Sequence, residues 1–204
     1  MYINHEKKFI FVHIPKTAGS SIHIFFKDFF NILDRSDPLP EIHHKSFSSI
    51  LNEDYSYRNY FKFAVIRNPY DRFLSAYRDF SQNKYYSRLN HPYQVEDGCT
   101  FDQFCFDFPN SIWAKDIHFT PQHNFLTING KIVADQILRY ENLRSDLEKL
   151  FKDLDLPINV FDRLPKHRKT RKEHEFYTSA YNNSTKDIIG SFFKKDLTMF
   201  NYDF

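Results

Sequence analysis

Residues 9–21 constrain the fold of this chain more than any other stretch. They read Phe9-Ile10-Phe11-Val12-His13-Ile14, then Pro15-Lys16-Thr17-Ala18-Gly19, then Ser20-Ser21 leading into a helical pattern. An apolar, β-rich run ended by proline reads as a buried strand over Phe9–Ile14. From Ser20 to about Phe30 a helix is predicted, with Ile22, Phe25, Phe26 and Phe29 on one face. A buried strand, a tight loop and a helix N-terminus together make an anion site. The first backbone N–H groups of the helix point at the ligand, and the helix dipole favours negative charge there. Lys16 adds a mobile ammonium to a place already suited to phosphate.

The same unit recurs. Phe61–Ile66 is a second apolar run; it ends at Arg67, and Asn68-Pro69 then opens a helix carrying Phe73, Leu74, Tyr77 and Phe80. Ile132–Leu138 reads as a third strand. The helix after it starts at Glu141 or Asn142 and repeats Leu143, Leu147, Leu150 and Leu154. Thr100 and Gln103 have capping-box spacing, so a short helix follows them, and Asn129-Gly130 marks a turn. Asn83–Gly98 is a polar surface excursion. Strands alternating with helices imply an α/β fold: a mostly parallel sheet flanked by helices in three layers. With 204 residues and no internal repeat, one domain over 1–204 is expected.

Composition narrows the partners. Lys and Arg number 28 against 26 Asp and Glu, so nothing demands nucleic acid and any basic patch is local. The segment 166–172 is such a patch, with five Lys/Arg in seven residues. Cys99 and Cys105 match neither a CxxC pair nor a zinc site, and reduced thiols in a cytoplasmic location are the plain reading. No stretch approaches the roughly 20 apolar residues of a membrane span. The histidines lack metal-ligand spacing, so no metal is expected. Oligomeric state is left open.

A Walker A loop places its lysine after its glycines. Here Lys16 precedes Gly19 and the first glycine is missing, although Ile132-Val133-Ala134-Asp135 imitates a Walker B strand. An ATP-dependent kinase of P-loop type is therefore an alternative, as is a non-catalytic nucleotide- or glycan-binding module.

The arrangement resembles the sulfotransferase superfamily, whose sulfuryl donor is 3′-phosphoadenosine-5′-phosphosulfate. Pro15-Lys16-Thr17-Ala18-Gly19-Ser20-Ser21 is similar to that family's 5′-phosphosulfate loop, in the variant of the carbohydrate sulfotransferases. The block from Phe63 to Tyr77 is similar to the family's 3′-phosphate block, with Arg67 and Ser75 at the gripping positions. Arg139-Tyr140-Glu141-Asn142-Leu143 matches a strand-to-helix junction. Asp196 to Tyr202 matches a C-terminal signature, with Asn201 where glycine is common. The resemblance implies a fold like that of the P-loop nucleotide kinases. It implies that Lys16, Thr17, Ala18, Gly19, Ser20 and Ser21 hold the 5′ end of the donor, and that Arg67 and Ser75 hold the 3′-phosphate. Arginine suits a terminal phosphate through its two-pronged fork, and lysine suits the oxygen on which charge grows. Arg72 is read either as part of this block or as an exposed ion pair.

On the acceptor side, His44 or its neighbour His43 resembles the base that takes the hydroxyl proton, with Glu41 a substitute. His118 and Gln122 lie in a segment similar to one near the family's acceptor cleft, where packing is an equal reading. Arg168 and Lys169 either cover the donor, receive an acidic acceptor, or are solvated surface. The function implied is sulfuryl transfer from that donor to a hydroxyl, on a glycan or another small acceptor, without metal.

Overall fold

The apolar run Phe9–Val12 becomes the inner strand β2, and a short strand β1 (Tyr2–Asn4) pairs antiparallel with it. This computed structural model describes residues 1–29, 44–82, 95, 96, 98–156 and 176–204. Between β1 and β2 the Asn4 side chain accepts from the Lys7 backbone, and Lys8 turns left-handed. Strand β1 escapes sequence reading because three residues carry too little alternation to register. Helix α1 (Gly19–Phe29) and helix α2 (Phe47–Glu53) follow, then strand β3 (Phe61–Ile66), whose bounds match those read from the sequence.

The chain divides into two compact units. The first is Met1–Arg67 with Gln122–His167, and the second is Asn68–Pro121 with Arg168–Phe204. In the second, helix α3 (Pro69–Gln82) starts with proline at its first position, as expected, and helix α4 (Phe101–Asp107) is capped by Thr100. That cap is half of the predicted box: Thr100 accepts from the Gln103 backbone, while the Gln103 side chain bonds Asp107 instead.

Back in the first unit, helix α5 (His123–Leu126) leads into a hairpin of β4 (Thr127–Ile128) and β5 (Lys131–Ile132), then strand β6 (Gln136–Arg139) and helix α6 (Leu143–Asp153). The third strand read from sequence is therefore two strands. Asn129 and Gly130 both have positive φ, which folds residues 127–132 into a tight hairpin and leaves only 136–139 for the main sheet. The sheet order is β1-β2-β3-β6, with β2–β3 and β3–β6 parallel. The sheet is mostly parallel, as expected, and the antiparallel edge strand β1 makes it mixed.

Register decides the core of this unit. Phe9, Phe11, Phe63, Val65 and Leu138 share one face of the sheet. They pack with Ile22, Phe25 and Phe26 of α1 and with Leu147, Leu150 and Phe151 of α6. The alternate residues Ile10, Val12, Ala64 and Ile66 are buried as well, as befits parallel strands covered on both faces.

The second unit closes with helices α7 (Asn183–Phe192) and α8 (Lys194–Phe200). Its core is a phenylalanine cluster centred on Phe73, whose ring meets Phe101, Phe104, Phe108, Phe119 and Phe193. Asn201, at a position where the resemblance leads one to expect glycine, ends α8 left-handed at φ 51°. Asparagine tolerates that conformation better than other side chains.

Candidate active site

The loop after β2 turns on residues that are not glycine. Lys16 and Ala18 are both left-handed, at φ 69° and 64°, with Thr17 between them. Each left-handed non-glycine residue costs about 1–2 kcal/mol, so the loop needs braces. Thr17 is fully buried and its hydroxyl donates to the Ile14 carbonyl at 2.9 Å. The Ile22 amide donates to the Ala18 carbonyl at 3.2 Å, joining the loop to the first turn of α1. The third brace is Arg67: its Nη1 donates to the Lys16 carbonyl at 3.0 Å. Lys16 is half-buried, and Ser20 is exposed at the start of the helix.

Arg67 is itself held from two sides. Its guanidinium lies 4.2 Å from the centre of the Tyr140 ring. Its backbone N–H donates to Gln122 Oε1 at 2.9 Å, and its carbonyl accepts from Gln122 Nε2 at 2.8 Å. Gln122 is fully buried. Both ends of its amide are thus on the Arg67 backbone, so this residue, expected near an acceptor, braces the main chain that carries the cation. Tyr140 carries no functional expectation in the sequence, yet register points to it. Ile66 pairs with Arg139, so the next step along both chains sets Arg67 beside Tyr140.

His44 stands just before α2, which Phe47, Ile50 and Leu51 anchor in the interior. Its Nδ1 lies 3.0 Å from the His13 carbonyl. A carbonyl only accepts, so Nδ1 carries the proton and the lone pair of the neutral ring is on Nε2. The His13 ring meets the His44 ring edge-on at 4.6 Å and stacks on Phe11. Gly19 also lies against this ring: a Cβ there would come 1.7 Å from His13 Cδ2. In the sequence Gly19 reads as a donor-loop or cap residue, and no pattern singles out His13. The glycine is required by this close approach and not by its φ.

Three residues from the sequence reading belong to the second unit. Ser75 is buried on α3. Arg72 is 1% exposed, which excludes the exposed ion pair; its guanidinium donates to the carbonyls of His118 (3.0 Å) and Thr120 (2.6 Å). His118 bonds Asp116 through Nδ1 at 2.9 Å and meets Phe80 edge-on. His43, Glu41, Arg168 and Lys169 lie outside the described residues. Among the described residues, no group of three or more His, Cys, Asp or Glu is placed to hold a metal ion. Among them, too, no helix is long and apolar enough to cross a membrane.

Asp135 bears on the choice between phosphate-loop types. Its carboxylate accepts from the Lys62 backbone at 2.7 Å and its amide donates to the Lys62 carbonyl. It therefore sits where β6 begins, whereas the loop follows the end of the parallel strand β2. A Walker B aspartate belongs at the same end as the loop, and this one is at the other.

Comparison with known proteins adds a family. The model of the sulfotransferase family matches residues 1–203. Carbohydrate sulfotransferase 14 of Danio rerio is 24% identical over 228 aligned residues, covering 98% of this chain and 61% of that protein. Its Homo sapiens counterpart is 31% identical over 83 residues, 38% of this chain and 22% of that protein. An uncharacterized protein of Archaeoglobus fulgidus is 30% identical over 105 residues, 52% of this chain and 76% of that one. The chain thus spans between about a fifth and three-fifths of the carbohydrate sulfotransferase relatives it matches. No solved structure shows significant similarity.

Proposed function

The chain belongs to the sulfotransferase family, and from that membership we propose that it transfers a sulfuryl group from 3′-phosphoadenosine-5′-phosphosulfate to a hydroxyl of a carbohydrate. The observation that carries this reading is the bond from Arg67 to the Lys16 carbonyl. Within the first unit, Arg67, which the resemblance matches to the 3′-phosphate, thus touches the loop that it matches to the 5′ end of the donor. The same reading takes the β2–loop–α1 unit as akin to that of P-loop nucleotide kinases, and the two free thiols as signs of a cytoplasmic setting.

The residues present suit a doubly phosphorylated donor. The loop and the start of an eleven-residue helix offer backbone N–H groups and the helix dipole. Lys16 supplies a point charge there, and Arg67 a fork for a second anion. Bound at this site, the donor would supply the activated sulfuryl group. Lys16 and the loop N–H groups then stabilise the negative charge that grows on the phosphate oxygen as its bond to sulfur breaks. His44 Nε2 takes the proton of the acceptor hydroxyl as the new oxygen–sulfur bond forms. Thr17 and Arg67 keep the loop in shape throughout, and Gln122 and Tyr140 keep Arg67 in place.

The test is direct. The protein is incubated with the donor and a panel of glycans, and 3′,5′-bisphosphoadenosine release and sulfated product are both measured. Release should depend on acceptor and persist in excess EDTA. Lys16→Ala should lower turnover by about a hundredfold or more, the cost of losing one charge-stabilising donor. Turnover of ATP with Mg²⁺, with none of the sulfuryl donor, would instead establish the kinase alternative. Tight nucleotide binding without any turnover would establish the binding module.

A further inference from the structure

We propose that His13 is a positioning residue that sets the orientation of His44 and ties it to the donor loop; this rests on reading His44 as the base. Three contacts converge on His13. Its carbonyl receives the His44 Nδ1 proton at 3.0 Å, which leaves Nε2 as the basic nitrogen. Its ring faces the His44 ring at 4.6 Å, edge to face, and so restricts rotation of that imidazole. The His13 ring is in turn fixed: it is 6% exposed, it stacks on Phe11 at an interplanar angle of 11°, and it fills the hollow over Gly19.

The position in the chain gives the arrangement its consequence. His13 directly follows β2, and Lys16 comes three residues later. Gly19, against which the ring rests, is the first residue of α1. One strand end therefore places the group that takes the acceptor proton and opens the loop that stabilises the leaving oxygen. In-line transfer needs these two groups on a common frame, since a misplacement of about 1 Å can cost a hundredfold in rate. The His13 imidazole itself moves no proton in this scheme; it acts through His44.

The experiment compares His13→Ala, His13→Leu and His13→Phe with His44→Asn in the full chain. Three quantities are measured: kcat and acceptor KM, the Kd of 3′,5′-bisphosphoadenosine, and the ¹⁵N shifts of the His44 ring, which report its tautomer. His13→Ala should lower kcat by about tenfold to a hundredfold. It should leave the nucleotide Kd unchanged and raise the share of His44 protonated at Nε2. His13→Phe, which keeps a flat ring in the same hollow, should restore most of kcat and the original tautomer. His13→Leu, which keeps volume without the aromatic face, should behave as the alanine variant does and stands in for it should the cavity prevent folding. Wild-type kcat and tautomer in the Ala or Leu variant would overturn the proposal, as would a loss confined to nucleotide affinity. If His44→Asn transfers at the normal rate, the base assignment itself is wrong. If His44→Asn is inactive while the His13 variants are normal, only the positioning role falls.

Discussion

Gly19→Ala tests the packing around the site most sharply, because two general effects oppose each other. Gly19 begins α1 without a positive φ, so alanine meets no backbone obstacle. In an open helix the change would gain up to about 1 kcal/mol. Here the new methyl would lie 1.7 Å from His13 Cδ2, 2.3 Å from Nε2 and 2.5 Å from Cγ. Carbon atoms in contact sit about 3.5–4.0 Å apart, so the ring would have to retreat by roughly 2 Å. Phe11 stacked on it and His44 edge-on to it oppose that retreat. Overpacking of this kind costs about 1–3 kcal/mol, and a clash this deep lies at the upper end. The net expectation is a loss of about 2 kcal/mol. For a chain of this length that lowers Tm by about 4–8 °C. Urea unfolding monitored by circular dichroism measures it, alongside turnover, which should fall as His44 is displaced. Adding His13→Ala removes the obstacle, so the double variant should recover about 1 kcal/mol or more relative to the sum of the singles. A Gly19→Ala protein as stable as the parent, or a double variant that is merely additive, would refute the argument.

Other expectations follow from single contacts. Gln122→Glu keeps the acceptor for the Arg67 amide but loses the donor to its carbonyl and buries a carboxylate. It should cost at least about 2 kcal/mol in urea unfolding. Arg67→Ala should weaken a 3′-phosphorylated nucleotide at least about tenfold more than its 3′-dephospho analogue, read by titration calorimetry, since a charged hydrogen bond is worth about 1.5–3 kcal/mol. Ser75→Ala, tested separately, should shift the preference the same way. Burial pushes the Cys105 thiol far above its ordinary value and raises the Tyr181 hydroxyl in the same unit. The unfolded thiol ionises near pH 8.5 and the folded one does not, so stability should fall as pH rises above that point. Cys105 contributes at most about 1.4 kcal/mol per pH unit, and Cys105→Ala should flatten the decline in alkaline urea titrations.

The parts of the site that were legible in the sequence are those whose signal lies in side-chain pattern. The strand Phe61–Ile66, the proline start of α3 and the loop ahead of α1 all show in apolar runs and punctuation. The parts that were not legible depend on backbone carbonyls. Arg72 bonds the carbonyls of His118 and Thr120, Arg67 bonds that of Lys16, and His44 bonds that of His13. Every residue has a carbonyl, so no residue type marks these partners. For this reason the sequence leaves Arg72 open between the phosphate block and an exposed ion pair. The strand expected over Ile132–Leu138 differs for another reason: the Asn129-Gly130 turn builds a hairpin that consumes Lys131 and Ile132, and apolar character alone does not tell that pairing from the main sheet.

The loop also shows why a phosphate site can dispense with the glycines of a Walker sequence. Glycine takes left-handed backbone without strain but brings more disorder to be lost on folding. Lys16 and Ala18 accept the strain instead, and their Cβ atoms close off most other conformations. Such a loop holds only while something opposes the strain, and the Thr17 and Arg67 bonds do so. Arg67 therefore has two jobs that a single substitution cannot separate by affinity alone. Removing its fork weakens a second anion, and removing its bond to the Lys16 carbonyl loosens the loop that serves the first. Arg67→Lys separates them in part, because an ammonium keeps the charge and one donor for the Lys16 carbonyl while giving up the fork and its stacking on Tyr140. That variant should lose much of the 3′-phosphate preference with the fork, yet turn over faster than Arg67→Ala, which loses the brace as well. Turnover in Arg67→Lys as low as in Arg67→Ala would show that a single donor to the Lys16 carbonyl does not hold the loop.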